Sequence, residues 1–334
     1  MADPWFSPKF EGVLCGTLTD RERLGLPDRY FPSRFCDSLP GAHARLMGLD
    51  IGSLCAIAED AASPLQDRLA AGNLLALSND PRIVPFDPAM VDIPGGTVRI
   101  GLDFSGIDAV MAAFPGLGLD RKWILKECPE HEVELGGYRL AKYPVTHLEY
   151  RIFLEETGHP ELPDSWAFRR FPQERSNHPV QTVSAQSADA YAKWLSGKTG
   201  RAFRLPSEAE WEHAAAGPGR LEFPWGNAFL PDHANTLETG LFSTTPVGIF
   251  VEGNSPFGIC DMAGNVEEYV LDGYSPYPGG VPVADHLVGH DAAYRVARGG
   301  CFSRLRDLAR TRRRHGRNPA SPTYSMGFRL AEDR

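Results

Sequence analysis

The strongest constraint on this chain is a long stretch with no regular pattern. From Pro218 to Tyr294 no helical or strand period is sustained; turn signals recur instead at Trp225-Gly226-Asn227, Glu252-Gly253-Asn254-Ser255-Pro256 and Tyr277-Pro278-Gly279-Gly280. A loop region of that length inside a compact domain needs something besides backbone ladders to hold it, such as metal ions or a ligand. With 34 glycines and 28 prolines, the chain favours a loop-rich fold over a helical bundle. Its 334 residues, 42% of them hydrophobic, are enough for a sizeable core, as one large domain or one domain with a smaller companion.

Regular elements flank this stretch. Leu65, Leu69, Leu74, Leu75 and Leu77 lie in alanine-rich surroundings between Ala42 and Leu77, which reads as one or two helices stopped by Asn79-Asp80-Pro81. Arg68 to Arg82 looks like a single helical-repeat unit, which cannot bury its own face and is expected to pack on the main domain. Val91 to Gly101 alternates apolar residues around glycines, as a short strand and turn would, and a second strand is expected from His131 to Leu140. Thr146-x-x-Glu149 and Ser207-x-x-Glu210 are capping boxes. Ser184 can cap a helix carrying Ala188, Tyr191, Trp194 and Leu195 on one face, ended by Gly197 or Gly200. Short strands return at Arg295 to Arg298 and Gly327 to Leu330.

The net charge of −9 argues against nucleic acid as the main partner, with Arg310, Arg312, Arg313, Arg314, His315 and Arg317 as a local basic exception. Cys15, Cys36, Cys55, Cys128, Cys260 and Cys301 form no C-x-x-C pair, so neither a zinc ribbon nor a disulfide scaffold is expected. Met1 to Lys9 has no signal pattern, and no apolar run reaches the ~20 residues needed to span a bilayer. The expectation is a cytoplasmic, reduced protein with no membrane attachment.

Several landmarks then fall in order: Ile93-Pro-Gly-Gly96, Tyr143-Pro-Val-Thr146, His178-Pro-Val180, Arg204-Leu-Pro-Ser-Glu-Ala-Glu-Trp-Glu212, Phe223-Pro-Trp-Gly-Asn227, Gly258-Ile-Cys-Asp-Met-Ala-Gly-Asn-Val266, Arg298-Gly-Gly300 and Gly327-Phe-Arg329. Together they resemble the formylglycine-generating enzyme, or sulfatase-modifying-factor, family over residues 88–334. The resemblance implies an α+β fold of the irregular, C-type-lectin-like kind with little regular structure, preceded here by a small helical segment over residues 1–87. The family's functions are diverse, so fold membership alone does not assign one.

The resemblance also implies structural calcium. Carried over residue by residue, one site takes the Asp261 and Glu268 carboxylates with the Gly264 and Val266 carbonyls, hard oxygens on a tight loop. An ordinary surface turn is the alternative there. A second site takes Asn235 and the carbonyls of Thr236 and Leu241, its acidic position falling on Thr239 beside Glu238.

At the implied active site the chain departs from the family. The two copper-binding cysteines of formylglycine-generating enzymes correspond to Arg304 and Ala309, which supply no thiolate. The iron-on-histidine arrangement of ergothioneine-type synthases needs a helical-bundle domain, and residues 1–87 are too short and lack an H-x-x-x-H pattern. Where the family reads Gly-Asn-x-Trp-Glu-Trp, this chain reads Gly264-Asn-Val-Glu267-Glu-Tyr269, so Glu267 replaces a pocket-lining Trp. The residue after Arg298-Gly-Gly, commonly Ser, is Cys301, and His315 is expected to border the same cavity. Glu267, Cys301 and His315 read as a catalytic transition-metal site, with iron, copper and cobalt not distinguished. They also read as a metal-free pocket, or as unrelated residues, Cys301 then being a small buried apolar side chain. Within the arginine run, Arg310 and Arg312 are expected to be structural. Arg313, Arg314 and Arg317 are expected to face an anionic or planar small molecule, which guanidinium forks suit. His147, where the family often has Asn, reads as structural.

These readings lead to a metal-dependent oxidase using molecular oxygen in small-molecule biosynthesis. The resemblance extends that expectation to natural-product pathways, siderophore maturation and toxoflavin-type assembly among them. The rival is a non-catalytic, lectin-like ligand-binding module. Nothing in the sequence sets an oligomeric state.

Overall fold

The structure, a computed structural model, describes residues 30–284, 287, 294–317 and 325–334; Met1 to Lys9 and Cys15 lie outside these. The N-terminal region forms three helices, α1 (Leu39–Leu46), α2 (Ile51–Glu59) and α3 (Leu65–Leu77), where leucine spacing suggested one or two. Asp50 makes the division: its carboxylate accepts from Ser53 N at 2.9 Å and starts α2 as a new helix. Leu46, Leu54, Leu69 and Leu75 pack with Ile249 and Phe250 of the main body. The same seam is hydrogen-bonded, Asn177 Nδ2 donating to Gly72 O (2.9 Å) and Ser176 Oγ to Ala76 O (2.5 Å).

The main body contains β1 (Met90–Ile93), β2 (Gly96–Ile100), α4 (Ile107–Ala113), α5 (Arg121–Leu125), β3 (His131–Leu135), β4 (Tyr138–Ala141), α6 (His147–Thr157), α7 (Ala185–Thr199), β5 (Phe203–Arg204) and α8 (Glu208–Ala216). After the loop region come β6 (Glu267–Gly273), β7 (Arg295–Arg298), β8 (His315–Gly316), β9 (Met326–Phe328) and β10 (Ala331–Asp333). The strands pair in the orders β1-β4-β10-β5, β2-β3 and β8-β7-β6-β9. The single strand expected from His131 to Leu140 breaks at Gly136-Gly137, and its halves join different sheets. The expected strand at Gly327 to Leu330 likewise divides between β9 and β10. Both capping boxes form, at α6 and α8, and α7 is capped by Ser184 and ends at left-handed Gly200. Tyr150 and Phe153 of α6 and Tyr191 and Leu195 of α7 pack on Phe328 and Leu330.

Buried ion pairs tie the main body together, and the contacts of Arg314 with Tyr277 and Arg329 with Glu268 reach into the loop region. Arg298 pairs with Glu208 and Glu212, each at 2.9 Å. Arg314 pairs with Glu208 at 2.8 Å and lies 3.9 Å over the Tyr277 ring. Arg310 pairs with Glu127 at 2.8 Å, and Arg329 with Glu268 at 2.6 Å. These guanidiniums are almost wholly shielded from water, so breaking one pair would cost about 3–5 kcal/mol by leaving a buried charge uncompensated. Among the described residues the cysteines are free, and no helix is long and apolar enough to cross a membrane.

Candidate functional site

The central pair of the site is set by sheet register. Ala297 of β7 stands between Tyr269 of β6 and His315 of β8. Glu267, two residues before Tyr269, therefore shares their face of the sheet. Because the intervening side chain is only a methyl, the imidazole can lean across β7, and His315 Nδ1 lies 2.9 Å from Glu267 Oε1. The turn feeding β6 makes this approach possible: Gly264 (φ 76°) and Asn265 (φ 64°) are both left-handed, and a Cβ on Gly264 would lie 2.4 Å from Asn235 O.

The environment is dry. Glu267 is fully buried, and its Oε2 is a shielded oxygen with no hydrogen-bond partner among the described residues, so it is available to a donor or cation. Burial lowers the pKa of His315, partly opposed by the Glu267 carboxylate. The imidazole is then neutral near pH 7, and its Nδ1 faces the Glu267 carboxylate.

Cys301 is close enough to feel the Glu267 charge, but its thiol lies 3.4 Å from Ser303 Oγ. Burial raises its pKa, with Arg304 opposing, so at neutral pH it is a thiol rather than a thiolate. Among the described residues no group of three or more His, Cys, Asp or Glu side chains stands where it could hold a metal ion. The expected triad is thus two-thirds assembled: Glu267 and His315 meet, and Cys301 is turned to Ser303.

The expectation for the arginines is corrected. Arg310 and Arg312 are structural, Arg312 reaching Glu222 at 2.6 Å. Arg314, however, is held by Glu208 and Tyr277, and Arg313 is buried over the Trp123 ring (5.5 Å) and 3.8 Å from Asp307. Neither faces a ligand. Arg317 is the exposed one of the three, near enough to Tyr269 to act on its ionisation.

The calcium sets also differ from expectation. Both Glu268 oxygens are taken by Arg329, and Trp211 Nε1 donates to Oε2 at 2.8 Å. Asp261 accepts from Gly248 N at 2.7 Å, and burial raises it to about 6. The set Asp261, Gly264, Val266 and Glu268 does not fit a divalent cation, because its main carboxylate already neutralises a guanidinium. In the second set, Asn235 Oδ1 is a buried oxygen without a hydrogen-bond partner among the described residues, while Glu238, beside the acidic position, pairs with Arg306 at 3.3 Å.

The carboxylates Glu208 and Glu212, which organise the arginines, went unassigned from sequence. Their signal was spacing: four residues apart, they share one face of α8. Away from the Glu267–His315 pair, a cleft of about 480 Å³ opens beside β2 and the end of α8, lined by Arg99, Glu212, His213, Arg220 and Arg312 among others.

Residues 78–334 match the model of the sulfatase-modifying factor enzyme 1-like domain. The chain belongs to this family. Serine/threonine-protein kinase Pkn1 of Chlamydia trachomatis is 37% identical over 226 residues, 62% of this chain and 35% of that protein, so the chain spans about a third of the length of the Chlamydia kinases it matches. The formylglycine-generating enzyme of Streptomyces coelicolor is 32% identical over 302 residues, covering 73% of this chain and 88% of that one. Hercynine oxygenase of Mycolicibacterium smegmatis is 30% identical over 277 residues, covering 72% and 60%. Among solved structures, PvdO from Pseudomonas aeruginosa superposes with a TM-score of 0.55 at 25% identity, covering 75% of this chain and 95% of that one. The α+β family fold is therefore established, in a family whose members include oxidising enzymes. The copper-thiolate centre does not carry over: Arg304 supplies no sulfur, and Ala309 is a fully buried core residue.

Proposed function

We propose that this protein is an oxidoreductase of small-molecule, natural-product biosynthesis that uses molecular oxygen, with Glu267 and His315 at its reacting centre. The observation that carries the reading is the buried Glu267–His315 contact with its unpartnered Oε2, in a family that includes a named oxygenase. In this reading two electrons and two protons pass from substrate to oxygen. The Glu267–His315 pair takes up a substrate proton, Glu267 holding the ring and stabilising the imidazolium. Arg317 is the arginine left to steer an anionic or planar substrate. Free cysteines support a reducing, cytoplasmic setting.

The metal-dependent form places iron, copper or cobalt on Glu267, His315 and Cys301, and requires the thiol to leave Ser303. Such a metal would supply oxygen activation when bound. Structural calcium is proposed at Asn235 and the carbonyls of Thr236 and Leu241, supported by the buried Asn235 Oδ1 that lacks a partner among the described residues. A second reading, a lectin-like binding module without catalysis, is favoured by the lack of a ready three-ligand group among the described residues.

Elemental analysis of chelator-free protein separates these readings, run on wild type, Glu267→Ala and Cys301→Ala. The expected result is a transition metal near one per chain that is lost in both variants. Calcium alone, unchanged by either substitution, would overturn the metal-dependent form. Absence of oxygen uptake with any small-molecule reductant would then leave the binding module.

A further inference from the structure

The segment between α6 and α7 displays a side chain that the fold does not use. Phe168 is 96% exposed, the highest value for a large apolar side chain among the described residues. It does not sit on a slack loop. Ser165 N donates to Thr182 Oγ1 at 2.7 Å, and buried Trp166 donates from Nε1 to His147 Nδ1 at 2.8 Å. Phe171 packs edge-on against Trp166 at 5.5 Å, and the Arg151 guanidinium lies 4.6 Å from the centroid of its ring. Between these anchors lie two consecutive left-handed residues that are not glycine, Phe168 (φ 55°) and Arg169 (φ 58°). Each costs about 1 kcal/mol or more relative to ordinary backbone. Folding recovers none of this by packing, since the ring stands in water. Strain held in place by anchors and unrewarded within the chain points to an external contact.

The charges beside it are equally unused. Arg169, Arg170 and Arg175 are exposed, and among the described residues none has an ion pair. This contrasts with Arg204, Arg310, Arg314 and Arg329, which are all paired. Asp164 and Glu174 are exposed on the same segment and leave the arginines in excess by one charge. An aromatic ring among unpaired guanidiniums is the composition of an interface anchor.

We propose that the 164–175 segment is a docking surface for an acidic protein segment, whose apolar side chains cover Phe168 while its carboxylates pair with Arg169, Arg170 and Arg175. Charge selects this occupant over a basic or neutral one. An anionic bilayer is the poorer match: one phenylalanine and three arginines give only a shallow anchor. A bilayer plane would also meet the rest of a chain of net charge −9, whereas a peptide segment meets the loop alone.

The test uses the full chain and fluorescence anisotropy. Probes are labelled Glu/Asp-rich peptides with interspersed Leu and Phe, the same peptides with Lys for Glu and Asp, and phosphatidylcholine vesicles with and without phosphatidylserine. Acidic-apolar peptides should bind, and binding should weaken at least about tenfold in Phe168→Ala and in the double variant Arg169→Glu/Arg170→Glu. Added salt should weaken it further, while the unfolding midpoint of Phe168→Ala stays unchanged because the ring packs on nothing. No binding of acidic peptides, equal binding by the variants, or binding of vesicles in place of peptides would each overturn the proposal.

Discussion

His147 offers a test of the buried chemistry that does not depend on knowing the substrate. It is 1% exposed at the start of α6 and accepts from Trp166 Nε1 at 2.8 Å. Burial first, and Arg175 second, push its pKa down to about 3. A histidine depressed in this way contributes no penalty above its unfolded pKa near 6.5. Below that value the unfolded chain takes up the proton and the folded one does not, so stability falls until the pH reaches the folded pKa. Integrating this linkage from about pH 7.5 to about pH 5 gives a loss of about 2 kcal/mol from His147 alone. His178 and His315 are also lowered and act in the same direction, while Glu149, raised to about 7, and Asp307, raised to about 6, act oppositely. The overall pH profile therefore mixes several groups, and a difference between proteins isolates one. His147→Asn keeps an acceptor for Trp166 and removes the titration. Denaturant unfolding of both proteins at the two pH values should show the variant gaining about 2 kcal/mol on the wild type upon acidification. A relative change under about 0.5 kcal/mol would refute the argument, because it would mean the imidazole is protonated or hydrated in the folded state.

Two further substitutions probe the frame around the site. Arg329→Ala strips the partner from buried Glu268 and should cost about 3–5 kcal/mol, read from the denaturant midpoint; a loss below about 1 kcal/mol would show that water reaches that carboxylate. Gly264→Ala places a Cβ 2.4 Å from Asn235 O at a φ of 76° and should cost about 2 kcal/mol or more, with loss of the His315–Glu267 contact visible as a shifted imidazole NMR resonance.

Elements governed by local chemistry were legible in the sequence. The capping boxes at Thr146 and Ser207 are satisfied within four residues, so their helices could be placed without knowing the rest of the fold. Sheet partnership was not legible in that way. His131 to Leu140 reads as one run, yet Gly136-Gly137 lets the halves diverge toward different edges. Strand β6 was hidden because two adjacent carboxylates, Glu267 and Glu268, interrupt the apolar alternation that marks a strand. The two carboxylates are buried because His315 and Arg329, 48 and 61 residues away, come to meet them. The arginine run misled for the same reason: a charge expected to face a ligand is silenced by a glutamate, such as Glu208 for Arg314, 106 residues distant. Pairing over such separations leaves no local pattern. Within the loop region expected to need a metal or ligand, such pairs hold Glu222, Glu267 and Glu268, through Arg312, His315 and Arg329.

The contact of α3 with the main body sets the limits of this protein as a unit. The span shared with the family starts at residue 78, one residue past the end of α3. The surface that α3 covers, with Asn177, Ser176, Ile249 and Phe250, belongs to the shared span, and the helix that covers it does not. The matched family span and the packed unit thus differ by a helical bundle. Severing the chain at residue 78 would expose an apolar face and leave two side-chain donors without their acceptors.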